Sequence, residues 1–150
     1  VLPAFLNQKK DGILKVTHKE MTRFHITLDD AVNLVNFSFQ NMVGGEIFVP
    51  KLKSFKILDL AKIIAPNAKI KIIGLRPGEK IHEELVSKSE EQYLFDMKKN
   101  YVILNDMIKN KIRLRKLKKV NLNINYNSGN QLFFMKNNQI KNLTKTKIID

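Results

Sequence analysis

Two oppositely charged side chains, Arg76 and Glu79, stand three residues apart in one short segment. Pro77 and Gly78 lie between them and predict a turn, because neither residue continues a helix or a central strand. Arginine offers a planar set of donors for phosphate or carboxylate, and glutamate accepts hydrogen bonds from hydroxyls or basic groups. The turn could therefore bind an anionic ligand that carries hydroxyls. Alternatively, the two side chains could pair and stiffen a surface loop, and local chemistry favours neither interpretation.

The segments around this turn predict strands and helices that alternate over roughly the first hundred residues. Thr27 is a good helix N-cap, with Asp30 as its partner three residues on. The predicted strands cover residues 13–17, 21–26, 46–50, 70–73 and 101–104. One helix is predicted to end near residue 10, a second to begin at residue 27, and a third to cover residues 57–64. Residues 81–85 are predicted as a helical turn. This alternation is typical of an α/β fold.

Three apolar patterns predict where these elements are buried. The helix after Thr27 carries apolar residues at helical spacing, which predicts a buried face formed by Leu28, Val32, Val35 and Phe39. The run from Ile47 to Val49 is wholly apolar, which predicts a strand that is buried on both faces. A third helix is predicted to bury the stripe formed by Ile57, Leu60, Ala61 and Ile64.

The composition excludes several classes of protein. The 150 residues include no cysteine, which excludes disulfides, thiolate catalysis and cysteine zinc sites. No apolar run approaches the roughly 18 residues of a membrane helix, and the N-terminus does not resemble a signal peptide. We therefore expect a cytoplasmic protein, with membrane attachment through an upstream region as the alternative. The start at Val1, without methionine, indicates a piece of a longer protein.

The formal net charge of +13 raises the possibility of a nucleic-acid-binding module. The basic residues are scattered through the chain, however, and are dense only from Lys109 to Lys119. Arg113 and Arg115 are the only arginines there, whereas nucleic-acid modules tend to interleave arginines or aromatics among lysines. We therefore predict no nucleic-acid partner and keep this module as an alternative of another class.

The chain has no complete catalytic or metal-binding pattern. Its three histidines, His18, His25 and His82, lack metal-ligand spacing. Glu83 and Glu84 follow His82 directly, but adjacent side chains on a helical turn point apart. No glycine-rich phosphate loop or Gly-x-Ser-x-Gly elbow is present. We therefore assign no catalytic residue and no metal site.

Four separated motifs, in this order, resemble one family. They are Met21–Phe24, followed by Ile26-Thr27 and the helix start at Asp29–Val32, then Gly44–Lys51, Ile57–Ala61 and Arg76–Leu85. Together they resemble the C-terminal part of the nucleotide-sugar 4,6-dehydratases of polysaccharide biosynthesis. This group includes the inverting UDP-N-acetylglucosamine 4,6-dehydratases and belongs to the extended short-chain dehydrogenase/reductase superfamily. The resemblance covers residues 1–104 and, more weakly, the segment from Tyr126 onward.

The resemblance implies an α/β fold, namely the C-terminal substrate-binding portion of an enzyme whose N-terminal Rossmann core is not in this chain. It divides the chain into a UDP-sugar-binding region (1–104), a basic linker or helix (105–125) and a C-terminal tail segment (126–150). It further implies NADP or NAD in the full-length parent, with no cofactor bound by this chain alone. The full-length parent is expected to be a homo-oligomer.

The resemblance also assigns roles to individual residues, each of which is expected to contact one part of a UDP-sugar. Arg23 is expected to reach the diphosphate, Arg76 to hold phosphate, and Glu79 to accept from the ribose hydroxyls. Val16 and Thr17 are expected to present backbone groups to uracil. Two arginines and one carboxylate suit a ligand that combines a pyrophosphate with sugar hydroxyls.

In the complete enzyme the resemblance implies an NAD(P)-dependent lyase. The cofactor takes a hydride from C4, water leaves across C5–C6, and the hydride returns to C6. This chain alone is expected to be inactive. The alternative within the superfamily is an epimerase or a reductase acting on the same UDP-sugars. The residues of this chain favour no particular sugar, C5 stereochemistry or choice between NAD and NADP.

Overall fold

The computed structural model describes residues 1–105, 117–120 and 125–144, and the chain divides into two compact units. Unit 1 comprises Val1–His25, Lys53–Glu83 and Ser128–Asp150, and unit 2 comprises Ile26–Leu52 and Glu84–Asn127. Both units mix helices with strands, which confirms the α/β class. The division into regions 1–104, 105–125 and 126–150 stays a prediction.

The described helices and strands are short. The helices are α1 (Leu2–Gln8), α2 (Leu28–Asn41), α3 (Ile57–Ile64) and α4 (Asn137–Leu143). The strands are β1 (Ile13–Val16), β2 (Thr22–His25), β3 (Ile47–Pro50), β4 (Lys53–Lys56), β5 (Lys69–Ile72), β6 (Glu84–Val86), β7 (Leu94–Met97), β8 (Asn100–Ile103), β9 (Lys118–Lys119) and β10 (Tyr126–Asn127). Single 3-10 turns occupy Lys9–Asp11, Glu91–Tyr93 and Gln131–Phe133. Across residues 1–105, 117–120 and 125–144, no helix has the length and apolar content needed to cross a bilayer.

Unit 1 packs its helices around one apolar core. Strand β1 pairs with β5 in parallel, and β2 pairs with β4 antiparallel. The core includes Leu14 of β1, Leu60 of α3 and Ile140 of α4, which are all at most 2% exposed. The predicted stripe of α3 is confirmed, because Ile57, Leu60, Ala61 and Ile64 are all buried. Burial of this stripe holds β4 and the start of α3 in place, and β4 in turn pairs with β2.

Unit 2 is built on a four-stranded antiparallel sheet with the order β3-β8-β7-β9. Phe95, Val102 and Leu104 form its buried cluster. A separate pair of strands, β6 and β10, is also antiparallel. In this pair Tyr126 lies opposite Val86, and neither residue has any exposed surface.

The hydroxyl of Tyr126 forms hydrogen bonds with the backbone of Pro50 and Leu52, at the end of β3 and just after it in unit 2. It accepts a hydrogen bond from the Leu52 N–H at 2.5 Å and donates one to the Pro50 carbonyl at 2.9 Å. The Tyr126 ring meets Tyr101 edge-on at 5.6 Å, and the Lys51 ammonium lies 4.5 Å from the centre of the Tyr101 ring. Burial raises the pKa of Tyr126 to about 12.

Helix α2 begins where it was predicted but does not bury the predicted face. The Thr27 hydroxyl oxygen accepts from the Asp30 N–H at 3.0 Å, which confirms the N-cap. The predicted apolar face is exposed, with Leu28, Val32, Val35 and Phe39 at 74%, 50%, 52% and 68%. Helical spacing identifies residues that share a face, but it carries no information on whether another element covers that face.

Two further predictions of local structure are wrong. Strand β3 is not buried along its length, because Ile47 is 55% exposed whereas Val49, two residues on, is 4% exposed. The segment from Ile81 to Leu85 is not a helical turn, because Glu84–Val86 forms β6. Its partner, β10, lies about forty residues further along the chain, so nothing in the local sequence indicates the pairing. Strands β4 and β7 and helix α4 were not predicted.

Candidate functional site

Arg23 is the most heavily contacted cation of the candidate site. It lies on β2 opposite Phe55 of β4. Its Nη1 donates to the Thr22 carbonyl at 2.7 Å and to the Ile81 carbonyl at 3.3 Å. Its Nη2 lies 3.8 Å from Glu79 Oε1 and its Nε lies 3.5 Å from Glu83 Oε1, with 20% of the side chain exposed. Two carbonyls and two carboxylates thus orient this guanidinium, which still reaches solvent.

The Arg76–Glu79 segment forms the predicted turn. Gly78 has a φ of 77°, which suits the third position of a turn with proline at the second. The Glu79 N–H donates to the Arg76 carbonyl at 3.0 Å. In return, the Arg76 N–H donates to Glu79 Oε2 at 3.1 Å. Glu79 therefore stiffens the loop, but through the backbone of Arg76 and not through its side chain.

The guanidinium of Arg76 remains available to a ligand. The residue is exposed, and its side chain makes no hydrogen bond or ion pair with any residue that the structure describes. Glu79 contacts Arg23 through one carboxylate oxygen and the Arg76 backbone through the other. The side chain of Arg23 and the backbone of Arg76 therefore share one carboxylate. An ionised carboxylate has about four lone-pair directions, so Glu79 keeps capacity for a hydroxyl donor.

The two residues predicted to face a base lie at the end of β1. The Val16 side chain is buried, and its carbonyl accepts from the Ile73 N–H at 3.0 Å. The Thr17 hydroxyl donates to the Met21 sulfur at 3.1 Å. A carbonyl oxygen has two lone pairs, so Val16 retains one acceptor direction. The contact of Val16 and Thr17 with uracil stays a prediction.

Four residues of this neighbourhood were not assigned a site role from the sequence: Thr22, His82, Glu83 and Ser128. Thr22 Oγ1 lies 2.8 Å from His82 Nδ1 and 2.7 Å from Ser128 Oγ. The Glu83 N–H donates to Ser128 Oγ at 2.8 Å, and the Ser128 N–H donates to the Glu83 carbonyl at 2.7 Å. The conspicuous His-Glu-Glu run was a signal for His82 and Glu83, whereas Ser128 stood in a segment with no chemical pattern.

The described residues do not gather a metal site. No group of three or more histidines, aspartates and glutamates among them is placed to hold a metal ion. The basic segment from Lys109 to Lys119 lies outside the described residues, except for positions 117–119.

Several known proteins are similar to this chain. Residues 1–105 match the family described as polysaccharide biosynthesis protein. An inverting UDP-N-acetylglucosamine 4,6-dehydratase of Campylobacter jejuni is 44% identical over 105 residues, which are 69% of this chain and 31% of that protein. A UDP-glucose 4-epimerase of Rickettsia canadensis is 44% identical over 95 residues, which are 60% of this chain and 28% of that protein.

Among solved structures, the X-ray structure of Pen from Bacillus thuringiensis superposes with a TM-score of 0.81 at 29% sequence identity. The match covers 95% of this chain and 44% of that chain. This chain thus spans about a third of the length of the two sequence relatives. On the match of residues 1–105, the chain belongs to the polysaccharide biosynthesis protein family.

Proposed function

We propose that this chain forms the UDP-sugar-binding part of an NAD(P)-dependent UDP-N-acetylglucosamine 4,6-dehydratase of glycan biosynthesis. The observation that carries the proposal is the convergence of Arg23 and the Arg76 turn on the Glu79 carboxylate. The Campylobacter relative, an inverting UDP-N-acetylglucosamine 4,6-dehydratase, supports the choice of sugar nucleotide.

The proposed roles follow from the contacts of each group. Arg76 has an exposed guanidinium that no described residue pairs, so it binds a phosphate of the diphosphate. Arg23 is oriented by its backbone and carboxylate contacts and approaches the same diphosphate from β2. Glu79 accepts from the ribose hydroxyls with its remaining lone pairs. Val16 and Thr17 hold the base. Anchoring the nucleotide in this way helps to orient the distant sugar.

The described residues contain no glycine-rich turn of the kind that holds a dinucleotide cofactor. Such a cofactor is held where a glycine-rich turn joins a strand to a helix. In the described residues, β4 runs directly into α3, and β2 reaches α2 through Ile26 and Thr27. The segment between β10 and α4 contains one glycine, Gly129, so none of the three connections is glycine-rich. No step through NAD(P) is therefore assigned to residues of this chain. The full-length protein is expected to be a homo-oligomer.

A second candidate function within the superfamily is that of a UDP-sugar epimerase. The Rickettsia UDP-glucose 4-epimerase, with 44% identity over 95 residues, favours it. Both functions predict the same UDP contacts in this chain. They differ in the product that a full-length protein makes from UDP-N-acetylglucosamine, which is a 4-keto-6-deoxy sugar for the dehydratase and a C4 epimer for the epimerase.

Calorimetric titration of UDP into four variants of the chain tests the proposal. Arg76→Ala should weaken binding by about 1.5–3 kcal/mol, the scale of a hydrogen bond to a charged group. Arg76→Lys should recover part of that loss, because it restores the charge but not the planar fork. Glu79→Gln should lose about 1 kcal/mol. Lys62→Ala removes an exposed cation from α3 and serves as the control for general electrostatic attraction.

Unchanged UDP affinity in Arg76→Ala would place the nucleotide elsewhere. If Arg76→Ala and Lys62→Ala weakened binding equally, the attraction would be unspecific. Retention of the chain on DNA that falls with salt, together with no response to UDP, would instead favour the nucleic-acid-binding module.

A further inference from the structure

Three polar side chains from distant parts of the chain meet beside Arg23. Thr22 and Ser128 are separated by 106 residues and have 1% and 0% of their surface exposed. His82 reaches Thr22 from the loop that follows the Arg76 turn. Buried hydroxyls are costly unless each finds its partners, so the protons of this cluster can be assigned one by one.

The assignment starts at Ser128, whose oxygen accepts from the Glu83 N–H. If Ser128 donates its own proton to Thr22, the Thr22 proton is free to bond His82 Nδ1, and every proton has an acceptor. If His82 Nδ1 carried a proton and donated it to Thr22, one hydroxyl proton would have no acceptor among the described residues. An unmet buried donor costs free energy. The lower-energy arrangement is therefore the one in which His82 Nδ1 carries no proton and accepts from Thr22.

The cluster is connected to Arg23 by two short routes. On the first, the Thr22 N–H donates at 3.0 Å to the Ile81 carbonyl, which also accepts from Arg23 at 3.3 Å. On the second, Ser128 holds both the N–H and the carbonyl of Glu83, whose carboxylate faces Arg23 Nε. A shift of the cluster would therefore move both a carbonyl and a carboxylate that orient the guanidinium.

Gly129 provides a separate sign that the position of the His82 ring matters. Its φ does not lie in the left-handed region, so the backbone there does not require glycine. A Cβ at this position would lie 2.6 Å from His82 Nδ1 and 2.7 Å from its Cγ, far inside contact distance. Glycine thus leaves room for the ring in the place where Nδ1 reaches Thr22.

We propose that Thr22, His82 and Ser128 are positioning residues that hold Arg23 in place for the substrate diphosphate, with Nδ1 of His82 as the terminal acceptor. The consequence for the substrate rests on the proposed function, whereas the effect on Arg23 does not. A merely structural cluster would stabilise the fold without a requirement for an acceptor at the position of Nδ1.

NMR spectroscopy of the 150-residue chain tests the effect on Arg23 without any ligand. At about pH 8, where an ordinary imidazole is neutral, the 15N–1H correlations of His82 should show the tautomer protonated at Nε2. The Arg23 Nε–H signal should be protected from exchange in the wild type. It should persist in His82→Asn, which keeps an acceptor at the position of Nδ1, and be lost in His82→Gln and Gly129→Ala. His18→Gln is the matched control, because His18 lies in a separate surface turn.

UDP titration of the same variants tests the consequence for the substrate. His82→Gln and Gly129→Ala should bind UDP about tenfold more weakly, equivalent to about 1.4 kcal/mol, while His82→Asn and His18→Gln should stay within about threefold of the wild type. If Gly129→Ala does not fold, His82→Gln decides, since it alters an exposed residue.

The outcomes separate the two ideas. A His82 protonated at Nδ1, or an Arg23 signal that is unchanged in His82→Gln, overturns the positioning role. A wild type that does not bind UDP overturns the proposed function, while the Arg23 signal still decides the positioning role. Equal loss of UDP binding in His82→Asn and His82→Gln would also refute the role of Nδ1 as acceptor.

Discussion

Replacement of Tyr126 by phenylalanine should destabilise unit 2 by an amount that depends on pH. The hydroxyl accepts from the Leu52 N–H and donates to the Pro50 carbonyl, and the Tyr126 side chain has no exposed surface. Tyr126→Phe keeps the ring and leaves these two backbone groups without their partner. We expect a loss of about 1–2 kcal/mol in the free energy of unfolding near pH 8, because both backbone groups are only partly buried.

The pH dependence follows from the raised pKa of Tyr126. Burial raises it to about 12 from an ordinary value of 10.0. Between these values the unfolded chain releases the phenolic proton while the folded chain keeps it, so the stability contributed by Tyr126 falls as pH rises. At pH 11, one unit above the unfolded-state pKa, the free energy of unfolding contributed by Tyr126 is lower by about 1.4 kcal/mol. The advantage of the wild type over Tyr126→Phe should therefore shrink by that amount between pH 8 and pH 11.

Urea denaturation of the wild type and Tyr126→Phe at the two pH values measures this difference. Tyr93→Phe is the matched control, because the Tyr93 hydroxyl makes no hydrogen bond with the described residues. The comparison between variants cancels the titration of the many lysines, which affects all three proteins alike. A stability difference that is the same at both pH values would refute the account of Tyr126 as a buried neutral hydroxyl.

Two further predictions concern unit 2 and unit 1. The hydrogen bond from Lys51, 2.6 Å away, lowers the pKa of Asp96 below its ordinary 3.8. The ion pair should therefore add to the free energy of unfolding above about pH 4, and this stabilisation should be lost as pH falls through the folded-state pKa. Asp96→Asn should flatten that part of the urea stability profile, and an identical acid slope in both proteins would contradict this. Leu60→Ala should cost about 2–5 kcal/mol because Leu60 is 2% exposed, whereas Leu60→Met should cost less than about 1.5 kcal/mol. Thermal melts followed by circular dichroism compare the two, and equal melting temperatures would count against the assigned core.

The parts of the fold that were predicted correctly depend on neighbouring residues. The N-cap at Thr27 and the stripe of α3 are both set within a turn or two of chain. The apolar face of α2 was wrongly predicted to be buried, because the burial of a face depends on other elements that cover it and not on the spacing of its residues. Strand β6 was mistaken for a helical turn because its partner, β10, is distant in the sequence.

The candidate site shows the same limit. The Arg76 turn could be predicted because proline and glycine determine its shape locally. The contact of Glu83 with Arg23 was not predicted, because residues 81–85 were predicted as a helical turn. The meeting of Thr22 with Ser128 could not be predicted, because hydroxyls 106 residues apart leave no joint pattern in the sequence.

The interleaved course of the chain affects how unit 1 can fold during synthesis. This unit takes its residues from three separate stretches, and Ile140, in the last of them, contributes to the same core as Leu14 and Leu60. A ribosome releases the chain from the N-terminus, so the early strands have an incomplete core until the segment around Ile140 has emerged. Until then their apolar faces lack this partner, which is when a nascent chain is most exposed to aggregation and to chaperones.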